Sequence, residues 1–337
     1  TQFGQGGTVM PKNPYTLGTE NASKQLLRDL YIDLRAKANF WSALTKQTPQ
    51  ARMGYIGQHL VSVVTGYQGA RTGARGRDLI LPENAHGEIK TCYRVDQLGS
   101  CKDCHAAVSS IEAACSICGS ENIDRKKDSK WLINIRDDAE FSRILEPAYY
   151  YFVLFEPIEN HSDVQVSIWQ ADPKTKGFAY MLMDYYLNIR PASESHAALD
   201  LWPYHIKFCL TQPTLIYRST ITAAGKIKIS VFPTRGNTRI DELPSLDTFA
   251  QSTTLKRDLL VSLVQELTPE VRTSRKNKRD LLACMEEYRI KNRLDNTALC
   301  DFLVSRIYLP RLRSHLSRIP PHLLSAFPEL KENSPAA

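Results

Sequence analysis

The chain has no apolar run long enough to span a bilayer, and residues 1–19 lack a charged start followed by a hydrophobic stretch. These absences argue against a membrane or secreted protein and predict a cytoplasmic one. Eight histidines are present, yet none forms a His-x-His cluster or a His-Glu-x-x-His pair, which disfavours a histidine-metal hydrolase. No internal repeat or low-complexity tract stands out. Cys92, Cys209, Cys284 and Cys300 are scattered, with no histidine at a spacing that suggests a nucleophile pair. They read as small buried hydrophobes, so a thiol mechanism is not expected. The 337 residues, 42% of them hydrophobic, suit one elaborated domain or two.

What is present begins at Asp78. In Arg77-Asp78-Leu79-Ile80-Leu81 the apolar neighbours predict a buried strand, and residues 82–86 supply a turn into a second strand over 87–93. Side chains alternate along a strand, so Glu88 and Lys90 share one face, and an antiparallel neighbour brings Asp78 close to both. Two carboxylates and a lysine then converge, an oxygen donor set suited to magnesium that also bridges to a phosphate. Such a centre activates water and offsets charge on a scissile phosphate, with Lys90 orienting the water or stabilising the transition state. The bare pattern also arises as a cross-strand ion pair on a solvated face.

These residues resemble the PD-(D/E)XK nuclease superfamily, in particular its type II restriction endonucleases. Asp78, Glu88 and Lys90 match the three motif positions, with Arg77 where the motif has proline. Members often carry a glutamate or glutamine on the helix before the first strand, which makes Gln58, within a helix over 51–65, an auxiliary site residue. The run over 47–94, including Gly73-Ala74-Arg75-Gly76, resembles the MamI type. The resemblance implies a restriction-endonuclease-like mixed central sheet flanked by helices, site-specific cutting of double-stranded DNA, and a cognate DNA methyltransferase in the same system. Symmetric DNA sites are most simply cut by symmetric dimers, so a homodimer is expected.

The second strong signal is Cys101-x-x-Cys104, ten residues, then Cys115-x-x-Cys118-Gly119. Four thiolates on two such knuckles read as a structural Zn2+ ribbon, closed to substrate. Disulfides are the alternative, disfavoured by the paired close spacings, and iron suits the same four cysteines. His105 is expected to be exposed and His86 to be a turn residue.

Charge location says more than the formal net charge of +7. Residues 271–320 hold twelve Lys or Arg against five Asp or Glu, an excess equal to that of the whole chain. Arg272, Arg275, Lys276, Lys278 and Arg279 lead into a helix with apolar positions Leu281, Leu282, Met285 and Ile290, and a second helix over 296–307 makes a helix-turn-helix conceivable. The plain alternative is a solvated charged face. Arg71, Arg75 and Arg77 flank the acidic hairpin and are expected to meet DNA phosphates. Arg235, in the polar loop over 234–239, is a candidate for reading bases.

The remaining pattern is α/β. A helix over 23–46 carries a stripe of Leu27, Tyr31, Leu34, Ala38, Trp41 and Leu44, with Asp29 and Asp33 as exposed partners for Arg28 and Lys37. Strands are expected over 131–135, 149–155, 164–169, 215–222 and 226–232, a helix capped by Asp137 or Asp138 before Pro147, and a Met- and Tyr-rich core helix over 178–189. The organisation read from this is a flexible segment 1–20, a nuclease core 21–250 with a zinc-ribbon insertion at about 97–128, a helical basic DNA-binding region 251–330 and a flexible tail 331–337.

The leading expectation is a magnesium-dependent type II restriction endonuclease. A repair, resolvase or modification-dependent nuclease with the same core, or a non-catalytic zinc-ribbon DNA-binding protein, are the alternatives. Recognition sequence, cut position and methylation sensitivity are not legible, because base contacts depend on side-chain placement.

Overall fold

The structure, a computed structural model, describes residues 13–46, 53–70, 77–93, 99–108, 114–125, 131–158, 162–194, 198–201, 206–240, 245–252, 254–322 and 324–331. The chain starts with α1 (Glu20–Leu26), capped by Thr19, runs through a π-helical turn (Leu27–Asp33) into α2 (Leu34–Thr45), and then forms α3 (Met53–Thr65). The acidic hairpin follows as β1 (Leu79–Ile80) and β2 (His86–Tyr93), joined by a 3-10 turn (Pro82–Asn84). β1 is shorter than the sequence pattern suggests. It keeps the expected antiparallel register, with Leu79 opposite Gly87 and Ile80 opposite His86.

The cysteine-rich insertion is a small three-stranded sheet of β3 (Gly99–Cys101), β4 (Ala107–Val108) and β5 (Ile123–Arg125). After β6 (Leu132–Ile133), α4 (Asp138–Leu145) is capped by Asp137, whose side chain accepts from the Glu140 amide at 2.8 Å. Next come β7 (Tyr149–Pro157), β8 (Val164–Ala171) and α5 (Lys176–Asp184), which continues through a π-turn into α6 (Arg190–Ala192). β9 (Leu199–Asp200), α7 (Ile206–Thr211) and the hairpin β10 (Thr214–Ile221) and β11 (Ile227–Val231) complete the sheet elements.

The central sheet is mixed, six-stranded and ordered β1-β2-β7-β8-β10-β11. Among the described residues its one parallel pair is β2 with β7, which puts Glu88 beside Tyr150 and Lys90 beside Phe152. Strand alternation then divides the core. Leu79, Ile89, Tyr151, Val153 and Phe155 face α1, the first π-turn and α3, where Leu27, Leu60 and Val61 are fully buried and Tyr31 stacks on Phe155 at 5.0 Å. Cys92, Tyr150, Phe152, Leu154 and Trp169 face the other layer, built on α5 and α7. The carboxyl-terminal helices α8 (Arg257–Leu267), α9 (Lys278–Lys291), α10 (Asn296–Leu303) and α11 (Leu309–Arg313) share that second core through Leu260, Leu282, Leu299 and Leu312.

Three expectations need correction. The long stripe reaches the core only at Leu27 and Tyr31; Leu34, Trp41 and Leu44 are exposed, and α2 has no buried residue. The π-turn shifts the helical phase after Tyr31, so the later positions point elsewhere. Ile290 is likewise exposed at the far end of α9. α9 packs on α8 and the 3-10 segment Leu246–Gln251, whereas α10 packs on α5 and α7, so the two helices serve different neighbours rather than forming one compact helix-turn-helix. Among the described residues, no helix is long and apolar enough to cross a membrane.

Candidate active site

Helix α3 lies flush on β2 because Gly57 has no side chain. A Cβ there would stand 1.9 Å from the Thr91 hydroxyl oxygen. This approach brings the next residue, Gln58, to the hairpin, where its Nε2 donates to Asp78 Oδ1 at 3.0 Å. Asp78 Oδ2 accepts from the Ile89 amide at 2.9 Å, and the Asp78 amide donates to the Gly87 carbonyl at 3.0 Å. Asp78 is thus locked alongside Glu88 at the mouth of the hairpin.

On β2, Lys90 Nζ donates to Glu88 Oε1 at 2.7 Å, with both side chains partly buried. Among the described residues, Glu88 Oε2 is buried and finds no hydrogen-bond partner. A buried carboxylate oxygen without a donor costs on the order of 1–3 kcal/mol or more, so it is a position where a cation would be stabilising. Burial first, and the neighbouring Glu88 charge second, push the Asp78 pKa up. Two carboxylates sharing one site resist joint ionisation, and a divalent ion between them relieves that repulsion. The donor set therefore fits an oxygen-seeking metal such as magnesium.

Glu88 and Lys90 open into a cleft of about 430 Å³. Arg77, exposed, lines it, as does His86, which begins β2 rather than sitting in the turn. The same cleft is lined by α4 and the residues flanking it: Arg136, Glu140, Arg143 and Glu146. Sequence reasoning did not single these out. The available signal was the cluster Arg136, Glu140 and Arg143 around the Asp137 cap, in which Glu140 and Arg143 are three apart on α4 and Arg136 lies just before the cap.

Other expected contacts lie elsewhere. Arg71 and Arg75 fall outside the described residues. Arg235 is held by Glu20, with Nη2 to Oε2 at 2.5 Å, and its Nη1 donates to the Ile229 carbonyl at 3.3 Å. Arg272, Arg275 and Arg279 are exposed, but neither they nor Lys276 and Lys278 line the cleft. Lys276 and Lys278 are partly buried, and the Lys278 ammonium donates to the Ser252 carbonyl.

In the insertion, the sulfurs of Cys101, Cys104, Cys115 and Cys118 all lie within 4.8 Å of one another. The Cys101–Cys118 and Cys104–Cys115 sulfur pairs are 3.5 Å apart, far beyond the roughly 2.05 Å of a disulfide. Zn–S bonds of about 2.3 Å at tetrahedral angles set sulfurs about 3.8 Å apart, close to the observed spacing. Positive φ at His105 and Gly119 closes the two knuckles, with His105 exposed. The four-cysteine group can hold zinc and leaves no cysteine position for substrate. Cys92, Cys209 and Cys300 are buried as expected, while Cys284 is partly buried.

No curated protein and no solved structure matches the chain. A family model, that of the MamI restriction endonuclease, matches residues 40–246, more than half of the chain, spanning α3, the acidic hairpin, the cysteine insertion and the central sheet. With this match over the site and the sheet that carries it, the chain belongs to the MamI restriction endonuclease family.

Proposed function

We propose that the protein is a type II enzyme that hydrolyses phosphodiester bonds of double-stranded DNA at specific sites, with magnesium held by Asp78 and Glu88. The observation that carries this reading is the buried Glu88 Oε2 beside Asp78 and Lys90, which has no hydrogen-bond partner among the described residues. Asp78 and Glu88 would hold a magnesium ion, which would supply charge neutralisation at the phosphate and a lowered pKa for an attacking water. Lys90, tied to Glu88, sits where its ammonium orients that water or meets the developing negative charge. Gln58 is a positioning residue that fixes the Asp78 carboxylate. Arg77 at the rim approaches the DNA backbone, and Arg71 and Arg75 are assigned the same role from their place in the sequence.

We read the mixed sheet as a restriction-endonuclease-like core. The acidic hairpin at its edge and the parallel β2–β7 pair support this. The core is taken as residues 21–250, with Zn2+ closing the ribbon and residues 251–330 as a helical region whose exposed Arg272, Arg275 and Arg279 offer non-specific phosphate contacts. The enzyme is taken to act as a homodimer, one site per strand, alongside a cognate methyltransferase that protects host DNA.

Digestion of matched unmethylated and methylated phage DNA in magnesium tests this. Discrete fragments from the unmethylated DNA support a restriction enzyme. Cutting confined to methylated DNA points instead to a modification-dependent nuclease, and binding without cutting points to a non-catalytic DNA-binding protein.

A further inference from the structure

In the cleft that Glu88 and Lys90 line, α4 and Arg136 just before it carry a charge cluster with its own internal support. Glu140 accepts the Arg136 amide at 2.8 Å, Arg136 Nε at 3.0 and 3.1 Å through its two oxygens, and Arg136 Nη2 at 2.5 Å. Arg143 reaches the same carboxylate at 3.9 Å and donates from Nε to the Ala139 carbonyl. These bonds from Arg136 hold the Glu140 pKa down at about 2, so the carboxylate stays charged at any working pH. The Glu140 side chain is only 13% exposed, whereas those of Arg136 and Arg143 are 66% and 54% exposed. One partly covered carboxylate thus sits beside two exposed guanidinium groups that line the cleft, and it neutralises only one of them.

The cluster is fixed relative to the acidic hairpin. Tyr150, the register partner of Glu88, donates through its buried hydroxyl to the Ile144 carbonyl in the last turn of α4 at 3.0 Å. At the other end, Tyr186 donates to Asp138 at 2.5 Å, and Arg190 Nη1 donates to the Arg136 carbonyl at 3.1 Å. The helix is therefore pinned at both ends and shares the wall of one cavity with Glu88, Lys90 and Arg77.

We propose that Arg136 and Arg143 form a clamp for a DNA backbone phosphate neighbouring the one cut, and that Glu140 is the positioning residue that pre-orients it. This rests on the reading of the cleft as a phosphodiester site. A guanidinium presents a planar fork that matches phosphate oxygens, and a pre-oriented fork loses less side-chain freedom on binding. A plain stabilising ion pair on α4 would need neither two arginines on one carboxylate nor a place in the wall of the acidic cleft.

The test uses the full-length protein and a mixed-sequence DNA duplex, with binding measured over a range of salt concentrations in the Glu88→Gln background. Arg136→Ala and Arg143→Ala are each expected to weaken binding and reduce the slope of log affinity against log salt by about one. Glu140→Gln keeps both cations; it is expected to lower affinity with the slope retained, and Arg136→Lys to recover the slope but not the full affinity. Circular dichroism checks that each variant is folded, and Arg136→Gln replaces Arg136→Ala if the alanine variant is not. In the otherwise wild-type protein, the two alanine variants should lose kcat/KM by roughly 10- to 100-fold, the size expected for a hydrogen bond to a charged group. Unchanged salt slopes in folded alanine variants, or no DNA binding at all, overturn the clamp. Absence of cleavage by the wild-type protein overturns the nuclease reading separately, and the slopes then still decide whether the arginines grip phosphate.

Discussion

Gln58 Nε2 donates to Asp78 Oδ1 at 3.0 Å, linking the helix that precedes the hairpin to the carboxylate that opens it. The contact spans twenty residues of sequence and exists because Gly57 lets α3 rest on Thr91. Replacing Gly57 with Ala puts a methyl group where the Thr91 side chain stands, and overpacking of this kind costs roughly 1–3 kcal/mol. Gly57→Ala is expected to show that loss in urea unfolding, together with slower cleavage as α3 lifts. Wild-type stability in this variant would mean the helix does not rest on the strand so closely.

Gln58 itself orients a carboxylate without reaching the bond that is cut. Outer partners of metal ligands typically matter by about 10- to 100-fold. Gln58→Ala should lower kcat by that order while leaving DNA affinity intact, as read by single-turnover cleavage and by binding in calcium. A variant as fast as the wild-type protein would remove Gln58 from the site.

Asp78 carries a pKa raised by burial and by Glu88. Because the folded value lies above the unfolded one, the native state holds the proton more tightly, and stability falls as pH rises through the interval between the two values. Above that interval, ionised Asp78 weighs against the metal-free fold. Asp78→Asn is therefore expected to melt at a higher temperature than the metal-free wild-type protein at neutral pH, with the gap closing in acid and with magnesium affinity lost. An unchanged or lower melting temperature at neutral pH would contradict this electrostatic account.

Much of this architecture was legible in the residues. The alternation that sets Glu88 and Lys90 on one face, the Asp137 cap and the two cysteine knuckles are local patterns with local causes, and each appears where its spacing puts it. The legibility stopped where packing is non-local. Nothing in the stripe of Leu27, Tyr31, Leu34 and Trp41 announces a π-turn that rotates its second half away from the core. The Arg136, Glu140 and Arg143 group comes from beyond the cysteine insertion and meets the hairpin through the parallel pairing of β2 with β7 and the Tyr150 contact to α4. Arg235 read as a loop cation because its partner, Glu20, lies at the other end of the chain.

The ribbon gives an independent test. Its described apolar contacts are few, centred on Cys101, Val108 and Cys115, so metal binding must supply much of its folding energy. Purified protein is expected to contain one zinc per chain by elemental analysis, and Cys115→Ser to lose it and to aggregate or unfold locally. Iron in the purified protein would reassign the metal, and a stable, fully active Cys115→Ser protein would rule out a structural role for it.

The most direct test of the central claim is digestion of unmethylated phage DNA by the wild-type protein and by Glu88→Gln, each with and without magnesium. The account predicts discrete fragments from the wild-type protein only when magnesium is present, and none from Glu88→Gln, which still binds DNA. Cleavage that survives Glu88→Gln, or that needs no divalent metal, would contradict it.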